Sequence, residues 1–206
     1  MSALDDRRDA LLDEVLRHVP FDGWSAKSLD AARIALDLDA LTLHRAFPNG
    51  IADAVREFSD RADREMLRSV AALARDVRTR DRIAAAVRAR LEALTPHREA
   101  ARRLVAWCAL PGHQPIAARL LYRTVDSIWY AAGDRSTDFG FYTKRALLGG
   151  VYGATLLYWL EDRSPGAEET WRFLDRRIDD VMRLPRLGDR ASRFLRGLRP
   201  SARRPI

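Results

Sequence analysis

Apolar residues recur three and four positions apart along almost the whole chain, and no sustained alternating run rich in Val, Ile and Thr interrupts them. The pattern predicts helices only. A first helix spans about Leu4 to His18, with Leu4, Leu11, Leu12, Val15 and Val19 on one side. Asp5, Asp6 and Asp9 occupy its first turn, where the helix dipole favours anions, and Pro20 and Gly23 are expected to stop it. A second helix starts after Trp24 with Ser25 as N-cap, carries Leu29, Ala32 and Ile34, and ends near Leu36. A short third covers about Asp39 to Phe47. Pro48-Asn49-Gly50 then leads into a long helix reaching about Val77, with Ile51, Val55, Phe58, Ala62, Met66, Leu67 and Val70 on its apolar side. Helices from about Asp81 to Leu94, Glu99 to Leu110 and Ile116 to Ala132 follow, separated by Thr95-Pro96 and Pro111-Gly112. After a turn over Gly133 to Thr137, a helix from about Asp138 to Leu160 is followed by Ser164-Pro165, which caps and opens a last one to about Met182.

Composition narrows the class. With 47% hydrophobic and 32% charged residues, the chain is too apolar for a disordered protein and too interrupted by charge for a membrane bundle. Its longest uncharged run, the fifteen residues from Ala146 to Leu160, is shorter than the ~20 a helix needs to cross a bilayer. The lone Cys108 excludes an intramolecular disulfide or a cysteine zinc cage and suits a reducing compartment. The acidic start at Asp5 and Asp6 is unlike a signal or transit peptide, so a cytoplasmic location is expected. The formal charge of +7 is unevenly placed: residues 1–50 carry 6 Lys and Arg against 9 Asp and Glu, whereas residues 183–206 carry 8 Arg against Asp189 alone. The basic element is therefore the tail, and the body is nearly balanced.

Three segments carry candidate chemistry. Residues 24–58 read as a helix-turn-helix ending in Phe47-Pro48, which is how TetR-type regulators begin, and the all-helical remainder suits the ligand domain of that fold. DNA binding, however, needs cations on phosphates and polar groups at base edges. The would-be recognition helix offers Asp37 and Asp39, then Leu41, Leu43 and Ala46, with only Thr42, His44 and Arg45 as contacts, so the expectation is a degenerate motif without a nucleic-acid partner. In the second segment, Leu148, Tyr152, Leu156 and Trp159 share one face of the uncharged helix, while Gly149 and Gly153 admit a close neighbour. A helix apolar on all sides is expected to be buried on all sides, either as a core helix at a dimer interface or as the wall of a lipid cavity. These two readings are compatible. With Trp129 and Tyr130 of the preceding helix, these four residues are the lipid-binding candidates.

The third segment is the tail. Leu187, Ala191, Phe194, Leu195 and Leu198 fit one arc of a helix, and Arg190, Arg193, Arg196 and Arg199 lie around the rest. Between Pro185 and Pro200 this makes a basic amphipathic helix suited to lying on an anionic membrane surface. Its alternative is to fold back on the body. Catalytic patterns are absent from the sequence: no Glu precedes His18, His44, His97 or His113 by three residues, and there is no His-Glu-x-x-His, Gly-x-Ser-x-Gly or phosphate-cradling glycine loop. Cys108, beside Trp107 in an apolar stretch, reads as a small buried hydrophobe. No enzyme, cofactor or metal is expected.

Three blocks carry a family resemblance. They are Val19-Pro20-Phe21-Asp22-Gly23-Trp24-Ser25; the run from Val125 through Ile128-Trp129-Tyr130-Ala131-Ala132-Gly133-Asp134-Arg135-Ser136-Thr137-Asp138-Phe139 to Tyr142-Thr143-Lys144-Arg145-Ala146-Leu147-Leu148; and Asp162-Arg163-Ser164-Pro165 with Glu169-Thr170-Trp171-Arg172-Phe173-Leu174. From about residue 5 to 183 the chain resembles the TetR-like lipid-binding accessory proteins of ubiquinone (coenzyme Q) biosynthesis, the ninth of the yeast series. The resemblance implies a homodimer of TetR-like fold, with a degenerate helix-turn-helix in residues 1–50, a lipid-binding and dimerisation domain in 51–183, and a membrane-binding tail in 184–206. It implies a protein that binds an isoprenoid quinone intermediate at the membrane and presents it to the di-iron demethoxyubiquinone hydroxylase. The partner face would comprise Asp138, Phe141, Tyr142, Lys144 and Arg145, with Phe141 as the aromatic anchor. Lacking the presequence of the mitochondrial members, the chain is expected to be a bacterial protein peripheral to the inner membrane. The alternative is a TetR-type transcriptional regulator that senses a hydrophobic ligand.

Overall fold

Local signals set most helix ends. A computed structural model of the chain describes residues 3–74, 76–133 and 140–183. Among these, the elements are α1 (Ala3–Asp22), α2 (Ala26–Ala35), α3 (Ala40–Ala46), α4 (Ile51–Ala71), α5 (Thr79–Leu94), α6 (Arg98–Ala109), α7 (Gln114–Ala131), α8 (Gly140–Glu161) and α9 (Glu168–Arg183), with short 3-10 turns at Thr95–His97 and Pro165–Ala167. The expected all-helical class is what the structure shows. Ser25 caps α2 by accepting from the Ser28 N–H at 3.3 Å, and Ser28 returns a bond to the cap, so both orphan donors are met. Asp39 caps α3 in the same way through the Thr42 N–H, at 2.6 Å.

The structure departs from the predictions at three helix boundaries and in the burial of one helix. Helix α1 runs through Pro20 to Asp22, because the ring removes one donor near the end of the helix while the Gly23 N–H still reaches Val19 C=O at 2.9 Å. Gly23, at φ +67°, is what stops it. Helix α4 ends at Ala71, six residues earlier than expected, since past Val70 no described side chain is buried again until Ile83. After Ser164-Pro165 the chain makes only a 3-10 turn, broken by positive φ at Gly166 (+61°) and Ala167 (+57°), and α9 starts at Glu168. Helix α8 is not buried all round: Ala146, Gly150, Ala154 and Leu157 form an exposed stripe along it.

The core is shared from end to end. Leu11, Leu12, Val15 and Val19 of α1 are wholly buried, as are Val55 and Met66 of α4 and Val87 and Leu91 of α5. Trp24 joins the first three helices to the rest: its ring lies 5.2 Å from that of Phe58, and its indole N–H donates to the Ala100 carbonyl of α6 at 3.0 Å. Helices α4, α5, α7 and α8 pack around one another, and the site described next is the space they leave with α6.

Candidate functional site

Helices α4 to α8 enclose a cavity of about 280 Å³. Its wall is almost entirely apolar: Phe58 from α4, Leu94 from α5, Leu104 and Val105 from α6, Leu120 and Leu121 from α7, and Leu156 and Leu157 from α8. Gly153 opens it, since a Cβ built there meets no heavy atom within 4 Å. Cys108 also lines it, half-buried, and burial pushes its thiol up from the ordinary value, so it stays protonated and unreactive.

One small part of the wall is polar. Arg90 of α5, 5% exposed, sits against the cavity and bonds to three side chains on two other helices, α4 and α8. Its Nε donates to Asp63 Oδ1 at 2.6 Å, one terminal nitrogen donates to Ser59 Oγ at 2.9 Å, and the other donates to the Tyr152 hydroxyl. Thr124 of α7 donates to both oxygens of Asp63, at 3.1 and 3.2 Å. Burial disfavours the Arg90 charge, but Tyr152 and Asp63 outweigh it and hold the guanidinium protonated. Burial likewise raises the Tyr152 phenol above its usual range despite the opposing pull of Arg90, so it keeps its proton. This network pins α4, α5, α7 and α8 at one end of the cavity.

Of the lipid-binding candidates, the structure brings Tyr152 and Leu156 to the cavity. Leu148 and Trp159 are buried elsewhere in the core, where Trp159 has the Arg98 guanidinium 4.8 Å above its ring. Trp129 packs beside the core with the Lys144 ammonium 5.8 Å from its ring, and Tyr130 is 71% exposed on α7. Among the partner-face candidates, Tyr142 is exposed, whereas Arg145 turns inward, its Nε and Nη2 donating to Asp126 Oδ1 at 2.9 and 2.6 Å. Asp138 and the Phe141 side chain lie outside the described residues. So do the tail candidates Leu187, Arg190, Arg193, Phe194, Leu195, Arg196 and Leu198.

Sequence reasoning missed the α6 wall and the buried Asp63–Arg90 pair. A signal for the pair existed. Arg90 falls on the apolar stripe Ile83, Val87, Leu94, and Asp63 on the stripe Val55, Phe58, Ala62, Met66, each a charge at a core position. Among the described residues no group of three or more His, Cys, Asp or Glu is placed to hold a metal ion, and no helix is long and apolar enough to cross a membrane.

Comparison with known proteins adds family context to this geometry. The COQ9 family model matches residues 114–185, which span α7, α8 and α9. The chain is 33% identical over 186 residues to "Ubiquinone biosynthesis protein COQ9, mitochondrial" of Drosophila melanogaster, covering 88% of this chain and 57% of that one. It is 34% identical over 181 residues to the protein of the same name from Rattus norvegicus, covering 84% and 58%. The chain thus spans little more than half the length of these relatives. In structure it is similar to a TetR transcriptional regulator from Nitrosomonas europaea ATCC 19718, with a TM-score of 0.70, 23% identity, and coverage of 86% of this chain and 99% of the other. That similarity shows a TetR-like fold.

Proposed function

The chain belongs to the COQ9 family, and from that membership we propose that it serves ubiquinone biosynthesis as a lipid-binding accessory protein rather than as a catalyst. In this reading it takes up an isoprenoid quinone intermediate at a membrane surface and hands it to the di-iron demethoxyubiquinone hydroxylase, where the chemistry occurs. The observation that carries the proposal is the apolar cavity between α4 and α8. At about 280 Å³ it falls just below the ~300–1,000 Å³ typical of ligand pockets. Such a space suits one end of a long lipid rather than the whole of it. The physical need is clear, because each CH₂ withdrawn from water contributes about 0.8 kcal/mol, so a polyprenyl quinone leaves the bilayer only for another apolar site.

Three further parts of the reading have distinct supports. The basic amphipathic pattern of Leu187 to Arg199 supports docking on an anionic membrane, and the names of the relatives place those proteins in mitochondria. The exposed Ala146, Gly150, Ala154 and Leu157 stripe on α8 supports homodimerisation, since small residues let two helices approach closely. The Asp138 to Arg145 segment supports a partner face, with Tyr142 as its exposed aromatic and Phe141 beside it in sequence. Regulation of transcription is less well supported. Asp39 caps α3 instead of leaving that end to phosphate, and the exposed Leu41 offers a base edge no hydrogen bond.

The test is to purify the protein without detergent from a quinone-making host and to analyse its organic extract by mass spectrometry. Near-stoichiometric isoprenoid quinone or precursor is the expected result. A protein that carries no lipid of any kind would overturn the cavity's role.

A further inference from the structure

Within that lipid-binding reading, on which this inference rests, the polar part of the cavity has a specific chemistry. The carboxylate and two of the hydroxyl oxygens there are engaged: Asp63 receives Arg90 and Thr124, while the Ser59 and Tyr152 hydroxyl oxygens each receive an Arg90 N–H. The protons of those two hydroxyls, by contrast, find no acceptor among the described residues. Ser59, Arg90 and Tyr152 all line the cavity and are all more than nine-tenths buried. The polar part of the wall therefore holds two spare donors, on Ser59 and Tyr152, against a single hydroxyl oxygen, that of Thr124, that receives no bond. Leaving buried donors unmet is unfavourable, and a hydrocarbon guest would leave them so.

We propose that Tyr152, backed by Arg90 and Ser59, forms a donor subsite for a carbonyl oxygen of an otherwise apolar ligand, which enters with its carbonyl-bearing end innermost. The burial pattern sets the orientation. Leu121 and Leu157 are the exposed lining residues, so the open rim is apolar, whereas Ser59, Arg90 and Tyr152 belong to the buried part of the wall. The tail of the ligand lies toward the Leu121 rim, and handing the ring to a partner requires its release from the cavity. Burial keeps the Tyr152 proton in place across the neutral range, which maintains the donor.

The experiment compares three probes that share a medium-length alkyl chain: decylbenzoquinone, the methyl ester of a fatty acid, and decylbenzene. Binding of each to the full chain is measured by equilibrium partitioning, for wild type, Tyr152→Phe and Ser59→Ala. Tyr152→Phe should weaken a carbonyl probe about fivefold to tenfold, as loss of one ordinary hydrogen bond does, and leave decylbenzene unchanged. Ser59→Ala should weaken it less and serves if Tyr152→Phe does not fold. Loss confined to the quinone, to the ester, or common to both identifies the carbonyl source. If the variants leave all three probes unchanged or weaken them equally, the subsite is overturned while lipid binding stands. If no probe binds the wild-type chain, both readings fall.

Discussion

Gly153→Leu separates the cavity's role from its contribution to packing. Gly153 lies in α8 on the cavity wall, and beyond its chain neighbours and its own helix backbone a Cβ there meets no heavy atom within 4 Å. Replacing a helical glycine by a good helix former gains about 0.8–1 kcal/mol. Burying a leucine side chain adds up to about 1.5–3 kcal/mol when burial is complete. Partial burial against Leu120 and Leu156 makes a total gain of about 1–3 kcal/mol reasonable. For a chain of this length each kcal/mol raises Tm by about 2–4 °C, so calorimetry should show a rise of several degrees. The same side chain occupies the cavity, and lipid recovered from detergent-free protein should fall sharply. Gly149→Ala is the control: its Cβ would make ordinary van der Waals contact with Leu121 and Val125, at 3.8 and 3.9 Å, and the residue is neither a lining residue of the cavity nor part of the exposed α8 stripe, so it should raise Tm modestly and leave lipid content alone. A fall in Tm for Gly153→Leu would refute the open space. A rise in Tm with lipid content unchanged would refute the cavity as the place where lipid sits.

Other perturbations probe the remaining parts. Arg90→Ala strands the Asp63 carboxylate in the core and should cost about 3–5 kcal/mol in denaturant unfolding; a loss below 1 kcal/mol would show the pair is not buried as described. Asp162→Ala removes the acceptor of the Ser164 and Thr170 N–H groups before α9 and should cost about 0.5–2 kcal/mol at neutral pH. Burial alone would raise the Asp162 carboxyl, but the hydrogen bonds from Thr170 and Ser164 hold it well below the usual carboxylate range. Its stabilisation is therefore complete above an unfolded value of about 3.9 and lost as pH falls below it, so the gap between wild type and variant should narrow only under acid; a gap that narrows from pH 7 to 5 would contradict this. Deleting residues 185–206 should weaken binding to anionic liposomes and remove its salt sensitivity, and unchanged binding would exclude docking through the tail. Phe141→Ala should reduce co-purification with the hydroxylase while Tm is unchanged, and undiminished capture would remove Phe141 from the partner face.

What the sequence determined by itself was everything that acts within a few residues. Ser25 and Asp39 cap because their oxygens lie one turn from the donors they satisfy, and Gly23 ends α1 because glycine, without a Cβ, adopts φ +67° at no steric cost. The apolar spacing in α1 and α4 named their buried faces for the same reason: periodicity is local. It also placed Tyr152 and Leu156 together, one turn apart on α8, and both reach the cavity. The tertiary structure decided what depends on residues distant in the chain. Asp63 and Arg90 are 27 residues apart, and their charges become tolerable in the core only where α4 and α5 meet and Thr124, Ser59 and Tyr152 complete the bonding. Which face of α8 stays exposed could not follow from a helix apolar on every side, because periodicity carries no direction there. The cavity itself is the volume that five packed helices fail to fill, a remainder of their relative placement that no single segment encodes.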